Sequence, residues 1–301
     1  MKNKLAIIGI VLIFLAGLGV LCYPLISSAV NNYAARKDAK AYMETVKQMP
    51  SERQQELWQS AKKYNDSLTN NVIIIDPFDE EAYRRIGSEY MASMDVDGRG
   101  LIGYIEVPKI NVYLPVRHST SEKTLAHSAG HLQNTSLPIG GESTHAVISA
   151  HSAYPGQTFF DYLPEVKEGD EFYVHVLDRV LKYEVDQIKV VLPSETSDLR
   201  VVPGEDHVTL VTCTPYSVNT HRLLVRGKRV EFDDSNYITT GSKLIHMDDR
   251  YIFFLGYRIP YWAAILVILG IIGMTVFFVV FFIRRGKKSE RKAGKEGGEE
   301  T

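Results

Sequence analysis

The sequence predicts a mainly β protein: a small closed or nearly closed barrel with short helices, a helical segment before it, and a membrane-length apolar run on each side. Three observations carry this. From Gly100 to Phe232 the chain offers seven or eight short runs rich in Val, Ile, Leu, Tyr and Thr, bounded by Gly, Pro, Asn and Asp. That many short strands within about 130 residues suit a small barrel. Residues 31–70 have a different texture, dominated by Ala, Lys, Glu, Gln and Met, and read as helix. Leu5–Val30 and Ile259–Ile283 carry no charge over 26 and 25 residues. Both exceed the roughly 20 residues that cross a bilayer core.

Taken in order, residues 1–30 form an N-terminal anchor behind Lys2 and Lys4, or alternatively a signal segment with Ser27-Ser28-Ala29 as a small-residue cleavage site. Cys22 follows Leu21 within this run and reads as apolar filler. Pro50 breaks the helical segment 31–70, and Ser51 is placed to cap a second helix. In the segment 71–98, which opens with "NVIIIDPFDEEAYRRIGSEYMASMD" (71–95), a short β-branched run meets Asp76-Pro77, and an acidic first turn then opens a short helix. Residues 99–235 hold the strands: "GYIEVPKINVYLPV" as two around Pro108-Lys109, then "HAVISAHS", "DEFYVHVLD", "VLKYEVDQIKVVLP", "HVTLVTCTP" and "HRLLVRGKRVEF". "TLAHSAGHL" and "FFDYLPEV" read as short helices between them. A juxtamembrane linker (236–258), an apolar helix (259–283) and a basic tail (284–301) complete the chain. The tail holds Arg284, Arg285, Lys287, Lys288, Arg291, Lys292 and Lys295, so the positive-inside rule puts both termini in the cytoplasm and 31–258 outside.

Over 31–258 acidic residues outnumber basic ones 32 to 25, which argues against a nucleic-acid surface. Cys213 is the one cysteine of that segment, so no disulfide closes within it. No cofactor or metal motif is present. His127 and His131 stand four apart on an expected helix without an obvious third ligand. His118, His145, His175, His207, His221 and His246 read as ordinary structural residues. Glu195, Asp198, Glu205 and Asp206 precede the cysteine strand, but their spacing asks for no calcium, and they read as solvated loop charge.

The residues that can carry chemistry lie at strand ends. In "VTLVTCTPYSVNTHRLLVRGKRV", Thr209, Val211 and Cys213 share one face of a strand that Pro215 stops. Arg222 opens the next strand, so a hairpin would set thiol and guanidinium at one rim. A fixed cation lowers a thiol pKa, and a positioned donor stabilises an oxyanion. His151, ending the strand "HAVISA", is the best proton partner. Residues alone leave a second reading open, in which Cys213 is a buried structural cysteine. Asp76-Pro77-Phe78 can likewise be only a helix-initiating turn.

"TLVTC" at 209–213, Arg222 nine positions on and His151 upstream resemble the signature of the sortases, membrane-bound cysteine transpeptidases of Gram-positive bacteria. The resemblance covers roughly 71–232 and implies an eight-stranded barrel. It makes Cys213 the nucleophile, His151 the acid/base and Arg222 the group that holds substrate backbone and oxyanion, with Thr209, Leu210 and Thr212 as motif residues. Asp76, Pro77 and Phe78 resemble the Asp-Pro-aromatic lid of class C, pilus-building sortases, which makes 71–98 the lid segment, although Trp is the common aromatic. In that class the aspartate pairs with the arginine and the aromatic covers the cysteine. A C-terminal membrane helix fits class C too. The implied activity cleaves a Leu-Pro-x-Thr-Gly-like signal after Thr through a thioester, then joins it to a lysine amine of another pilin subunit. Pilin subunits and the bilayer are thus the expected partners. The alternatives are a housekeeping sortase that anchors proteins to peptidoglycan, and a non-catalytic scaffold that holds pilins by strand addition. Papain-like proteases place cysteine before histidine, the reverse of the order here.

Overall fold

The computed structural model of the 301-residue chain describes residues 2–68, 73–84, 86–110, 112–232, 251–254 and 257–296. It divides into two compact units, one of 29–247 and one of 1–28 with 248–301. The expected linker over 236–258 lies largely outside the described residues.

Eight strands close a barrel in the first unit: β1 (Leu101–Val107), β2 (Val112–His118), β3 (Ala129–His131), β4 (Thr144–Ser149), β5 (Glu171–Val176), β6 (Arg179–Val191), β7 (Asp206–Thr214) and β8 (His221–Arg229). Their order around the wall is β1-β2-β3-β4-β7-β8-β6-β5, and β5 pairs with β1 to close it. The β2–β3 and β4–β7 pairs are parallel and the others antiparallel. Closure leaves no open sheet edge.

The two-residue period of a strand sorts side chains to the inside and outside of this wall. Ile148, Leu210 and Val225 are register partners across β4, β7 and β8, and all three sit in the main core with Phe172 and Tyr183. The alternate row, Val147, Val211 and Leu224, points outward yet is equally buried. "HVTLVTC" is accordingly buried along its whole length: this stretch of wall is covered on both faces. Leu132, Leu199 and three residues of the 71–98 segment, Ile74, Phe78 and Ala82, supply the outer cover.

The helical segment runs as α1 (Lys2–Gln48) and α2 (Ser51–Ser67). Pro50, not Ser51, is the N-cap, its carbonyl accepting from Arg53 and Gln54. Ala39, Tyr42, Val46, Leu57, Ala61 and Tyr64 join the barrel's core. The Tyr42 hydroxyl donates to the Ile102 carbonyl (3.1 Å) and accepts from the Leu177 amide (2.7 Å). Asn65 bonds both backbone groups of Leu137. Helices α3 (Glu81–Arg84) and α4 (Ser88–Ala92) follow in the 71–98 segment.

Two expected helices are shorter than the sequence suggested. In "TLAHSAGHL" α5 (Glu122–Leu125) ends early, and β3 begins at Ala129. The small residues there let the chain pass close to its neighbour: a β-carbon at Gly130 would strike the Ser119 carbonyl oxygen. His131 is therefore a strand residue, separated from His127 by a change of element. Its Nδ1 meets the Tyr90 hydroxyl (3.0 Å) and its Nε2 the Ser136 carbonyl (2.7 Å). "FFDYLPEV" keeps a single 3₁₀ turn, Leu163–Glu165, with Pro164 inside it.

In the second unit Tyr251–Phe254 and Tyr257–Pro260 pair antiparallel ahead of a helix over Tyr261–Glu296. Its first 21 residues, Tyr261–Phe281, are long and apolar enough to cross a bilayer. Near the N-terminus a shorter apolar stretch, Val11–Tyr23, lies within α1. These features associate the protein with a membrane.

Candidate active site

β7 stops at Thr214 because Pro215 has no N–H to continue the ladder. Cys213 is one residue from that end and stands opposite Arg222 in the β7–β8 register. Thiol and guanidinium thus share one rim and one face, as the hairpin reading required. The next pair inward on this face is Val211–Leu224, part of the covered outer wall.

His151 reaches the same rim from β4. The Ala150 amide donates to the Val211 carbonyl (3.1 Å), the Thr212 hydroxyl to the Ala150 carbonyl (2.8 Å), and the Ser152 hydroxyl to the Cys213 carbonyl (2.8 Å). His151 is therefore bracketed by residues pinned to the cysteine strand. The Tyr154 ring stacks on its imidazole, 5.1 Å between centroids at 18°. Ser152 and Tyr154 carry no local pattern that marks them in the sequence. Of the motif residues, Thr212 makes the bond just described, Leu210 fills the barrel interior, and Thr209 Oγ1 lies 2.7 Å from His145 Nε2.

A segment from far upstream covers the rim. The Asp76 carboxylate accepts two bonds from Arg222, from Nε (2.8 Å) and Nη2 (2.6 Å). Nη1 donates to the Asn219 and His221 carbonyls (3.0 and 3.1 Å). The Phe78 ring lies 5.1 Å from the Arg222 guanidinium carbon and 5.6 Å from the His151 ring. Pro77 sits in the turn closed by the Asp79 amide and Asp76 carbonyl (3.0 Å). The helix-initiating turn is present as well, but Asp79 serves it, its carboxylate accepting from the Glu81 amide (2.9 Å). This leaves Asp76 free for Arg222. Thr196 tethers the segment by donating to the Ile74 carbonyl (3.0 Å).

The charge state differs from the sequence expectation of a lowered thiol pKa. Burial pushes the Cys213 thiol up to about 11; Arg222 pulls it down and Asp76 pushes it up again. Only 8% of Cys213 is exposed, and the neighbouring cation is already neutralised by a bidentate carboxylate. Burial also holds His151 below the usual imidazole range, against the pull of Glu122. At neutral pH the covered site holds a thiol and a neutral imidazole.

Glu195, Asp198 and Glu205, before β7, and Asp206, its first residue, have other partners. Glu195 accepts from the Leu192 amide and Asp198 pairs with Lys189. Glu205 pairs with Lys228, and Asp206 accepts from the Tyr183 hydroxyl and the Gly141 amide. Among the described residues no group of three or more His, Cys, Asp or Glu side chains is placed to hold a metal ion.

Comparison with known proteins adds to this geometry. The sortase domain family matches residues 105–230. Sortase C-1 from Streptococcus pneumoniae is 44% identical, over 65% of this chain and 100% of that one, with a TM-score of 0.62. The chain belongs to the sortase family. Sortase C-1 from Actinomyces oris is 46% identical over 60% of this chain and 99% of that one (TM-score 0.57). The pilus-related sortase C of Group B Streptococcus is 46% identical over 64% and 96% (TM-score 0.58). This sortase thus falls with class C. Among curated relatives, sortase A of Bacillus anthracis is 27% identical over 140 residues, 46% of this chain and 65% of that protein. The sortases are cysteine transpeptidases.

Proposed function

We propose that this sortase is a pilus-building transpeptidase in which Cys213 is the nucleophile, His151 the acid/base, Arg222 the oxyanion donor, and Asp76-Pro77-Phe78 a lid. The observation that carries the reading is the register pairing of Cys213 with Arg222 beneath the Asp76 carboxylate.

In the covered state Asp76 occupies the guanidinium where a substrate carbonyl would bind. Once the lid leaves, Arg222 regains its uncompensated charge and the thiol becomes easier to ionise. Neutral His151 accepts the thiol proton, and the thiolate attacks the threonine carbonyl of a Leu-Pro-x-Thr-Gly-like signal. Arg222 donates to the oxyanion that develops. The imidazolium then gives its proton to the departing glycine amine, so the Thr–Gly bond breaks as the thioester forms. A lysine amine of a second pilin attacks the thioester. Its proton passes to His151, an isopeptide bond forms, and the Cys213 thiolate leaves to recover the proton. The peptide bond's free energy is held in the thioester, so no nucleotide is consumed.

The apolar runs near both ends would hold the enzyme in the cytoplasmic membrane with 31–258 outside and both termini inside. Equally anchored pilins would then meet it at raised effective concentration. Replacing Cys213→Ala is expected to abolish isopeptide-linked pilin polymer, followed by denaturing electrophoresis, with the circular dichroism spectrum unchanged. Polymer made by the variant would overturn the reading.

A further inference from the structure

His151 opens a loop that no strand ladder holds, while Cys213 and Arg222 flank another. The two loops meet at a single buried carboxylate, Asp161, only 7% exposed. Its Oδ1 accepts from the Ala153 amide (2.9 Å) and its Oδ2 from the Phe159 amide (2.8 Å). The Tyr216 hydroxyl bonds the same carboxylate from the other loop, three residues after Cys213. Next to Asp161, the Phe160 amide donates to the His151 carbonyl (3.0 Å). Ala153 has a φ of 60°, a left-handed conformation that a non-glycine residue keeps only when its surroundings impose it. Its amide is one of those Asp161 holds. Tyr154, stacked on the imidazole, lies 6.0 Å from the Phe159 ring. The loop of Tyr216 continues to Asn219, whose carbonyl accepts from Arg222.

We propose that Asp161 is a positioning residue for the transfer reaction, its carboxylate clamping the His151 loop to the Cys213–Arg222 loop through Tyr216. The proposal rests on the reading of Cys213 and His151 as the reacting pair. Ser152 ties the two loops backbone to hydroxyl at the rim, and Asp161 does so from behind. With both ties the imidazole keeps its place when the lid, and with it the Phe78 contact, is withdrawn. A carboxylate can accept from all three donors at once; an amide presents one accepting oxygen and turns an N–H toward a donor.

The test uses the full chain in detergent micelles with Asp76→Ala to open the site, and a Leu-Pro-x-Thr-Gly peptide as probe. Thioester formation is followed for the parent, Asp161→Asn and Tyr216→Phe, together with the pH dependence of kcat and the melting temperature. A displacement near 1 Å costs about a hundredfold in rate, so Asp161→Asn should lower kcat by about that factor. Tyr216→Phe, which leaves both amide bonds in place, should lower it about tenfold with KM within about twofold, and its pH profile should shift. Should Asp161→Asn fail to fold, Tyr216→Phe decides alone. A parental kcat and pH profile in Tyr216→Phe would overturn the positioning role and leave the nucleophile assignment standing. No thioester in the parent would overturn both.

Discussion

The Cys213 thiol is held in its unreactive form by its surroundings. With a pKa of about 11, on the order of one molecule in ten thousand carries a thiolate near pH 7. Desolvation is the larger cause, and Asp76 compounds it by offsetting Arg222. The Asp76 contribution comes from the covering segment, so withdrawing that segment would remove it. Asp76→Ala takes away a charge that disfavours the thiolate, and Phe78→Ala opens the rim to water; each lowers the thiol pKa. Alkylation of Cys213 by iodoacetamide at neutral pH should therefore be about tenfold faster or more in either variant, and the pH midpoint of its rate should fall below 11. Unchanged rates would mean that the covering residues do not control the thiol. The cysteine, its arginine and its histidine were all legible in the sequence, because strand-ending positions and a rare thiol mark them. The thiol's protonation state was not legible: it depends on Asp76, 146 positions from Arg222 in the chain.

Between elements, the joint that links α4 to the barrel is a buried polar cluster. Tyr90 is fully enclosed, and its hydroxyl meets His131 Nδ1 and the Ser119 amide (both 3.0 Å). The ring of His118 lies 4.7 Å from that of Tyr90. Burial drives the His131 pKa down to about 3, while the Ser136 carbonyl pulls it up and His118 pushes it further down. The folded state thus binds fewer protons than the unfolded state between pH 6.5 and 3, so stability is present above this window and is lost as pH falls through it. Melting temperature should fall steadily from pH 6.5 to 3, and His131→Gln should flatten part of that slope. An identical slope in the variant would assign the acid sensitivity to other groups. Strands were legible here from β-branched runs and their Gly and Pro boundaries. Short helices were less so: "TLAHSAGHL" has helical composition, but pairing of Ala129–His131 with both β2 and β4 outweighs the weak propensity of so short a helix.

For the molecule as a whole, the barrel is a frame whose outer wall is left apolar beside the reacting rim. Val147, Val211 and Leu224 are covered in part by Ile74, Phe78 and Ala82 of the covering segment and in part by Leu132 and Leu199. Under the proposed mechanism this wall would serve two occupants in turn, the protein's own Asp76-Pro77-Phe78 and then a substrate strand. The helix over Tyr261–Glu296 and the apolar stretch Val11–Tyr23 associate the protein with a membrane. The barrel and the C-terminal apolar helix could be read from periodicity and length; of the N-terminal run, Val11–Tyr23 stands as a shorter apolar stretch. The cover's seat on the wall could not, because the contacts of Ile74, Phe78 and Ala82 with β4, β7 and β8 are long-range and leave no local pattern. The most direct measurement is intact-protein mass spectrometry of the full chain after incubation with a Leu-Pro-x-Thr-Gly peptide. The expected product is an acyl adduct ending in threonine, carried on Cys213, lost on addition of hydroxylamine and absent from Cys213→Ala. An adduct that persists in Cys213→Ala, or none even with Asp76→Ala opening the site, would contradict Cys213 as the nucleophile.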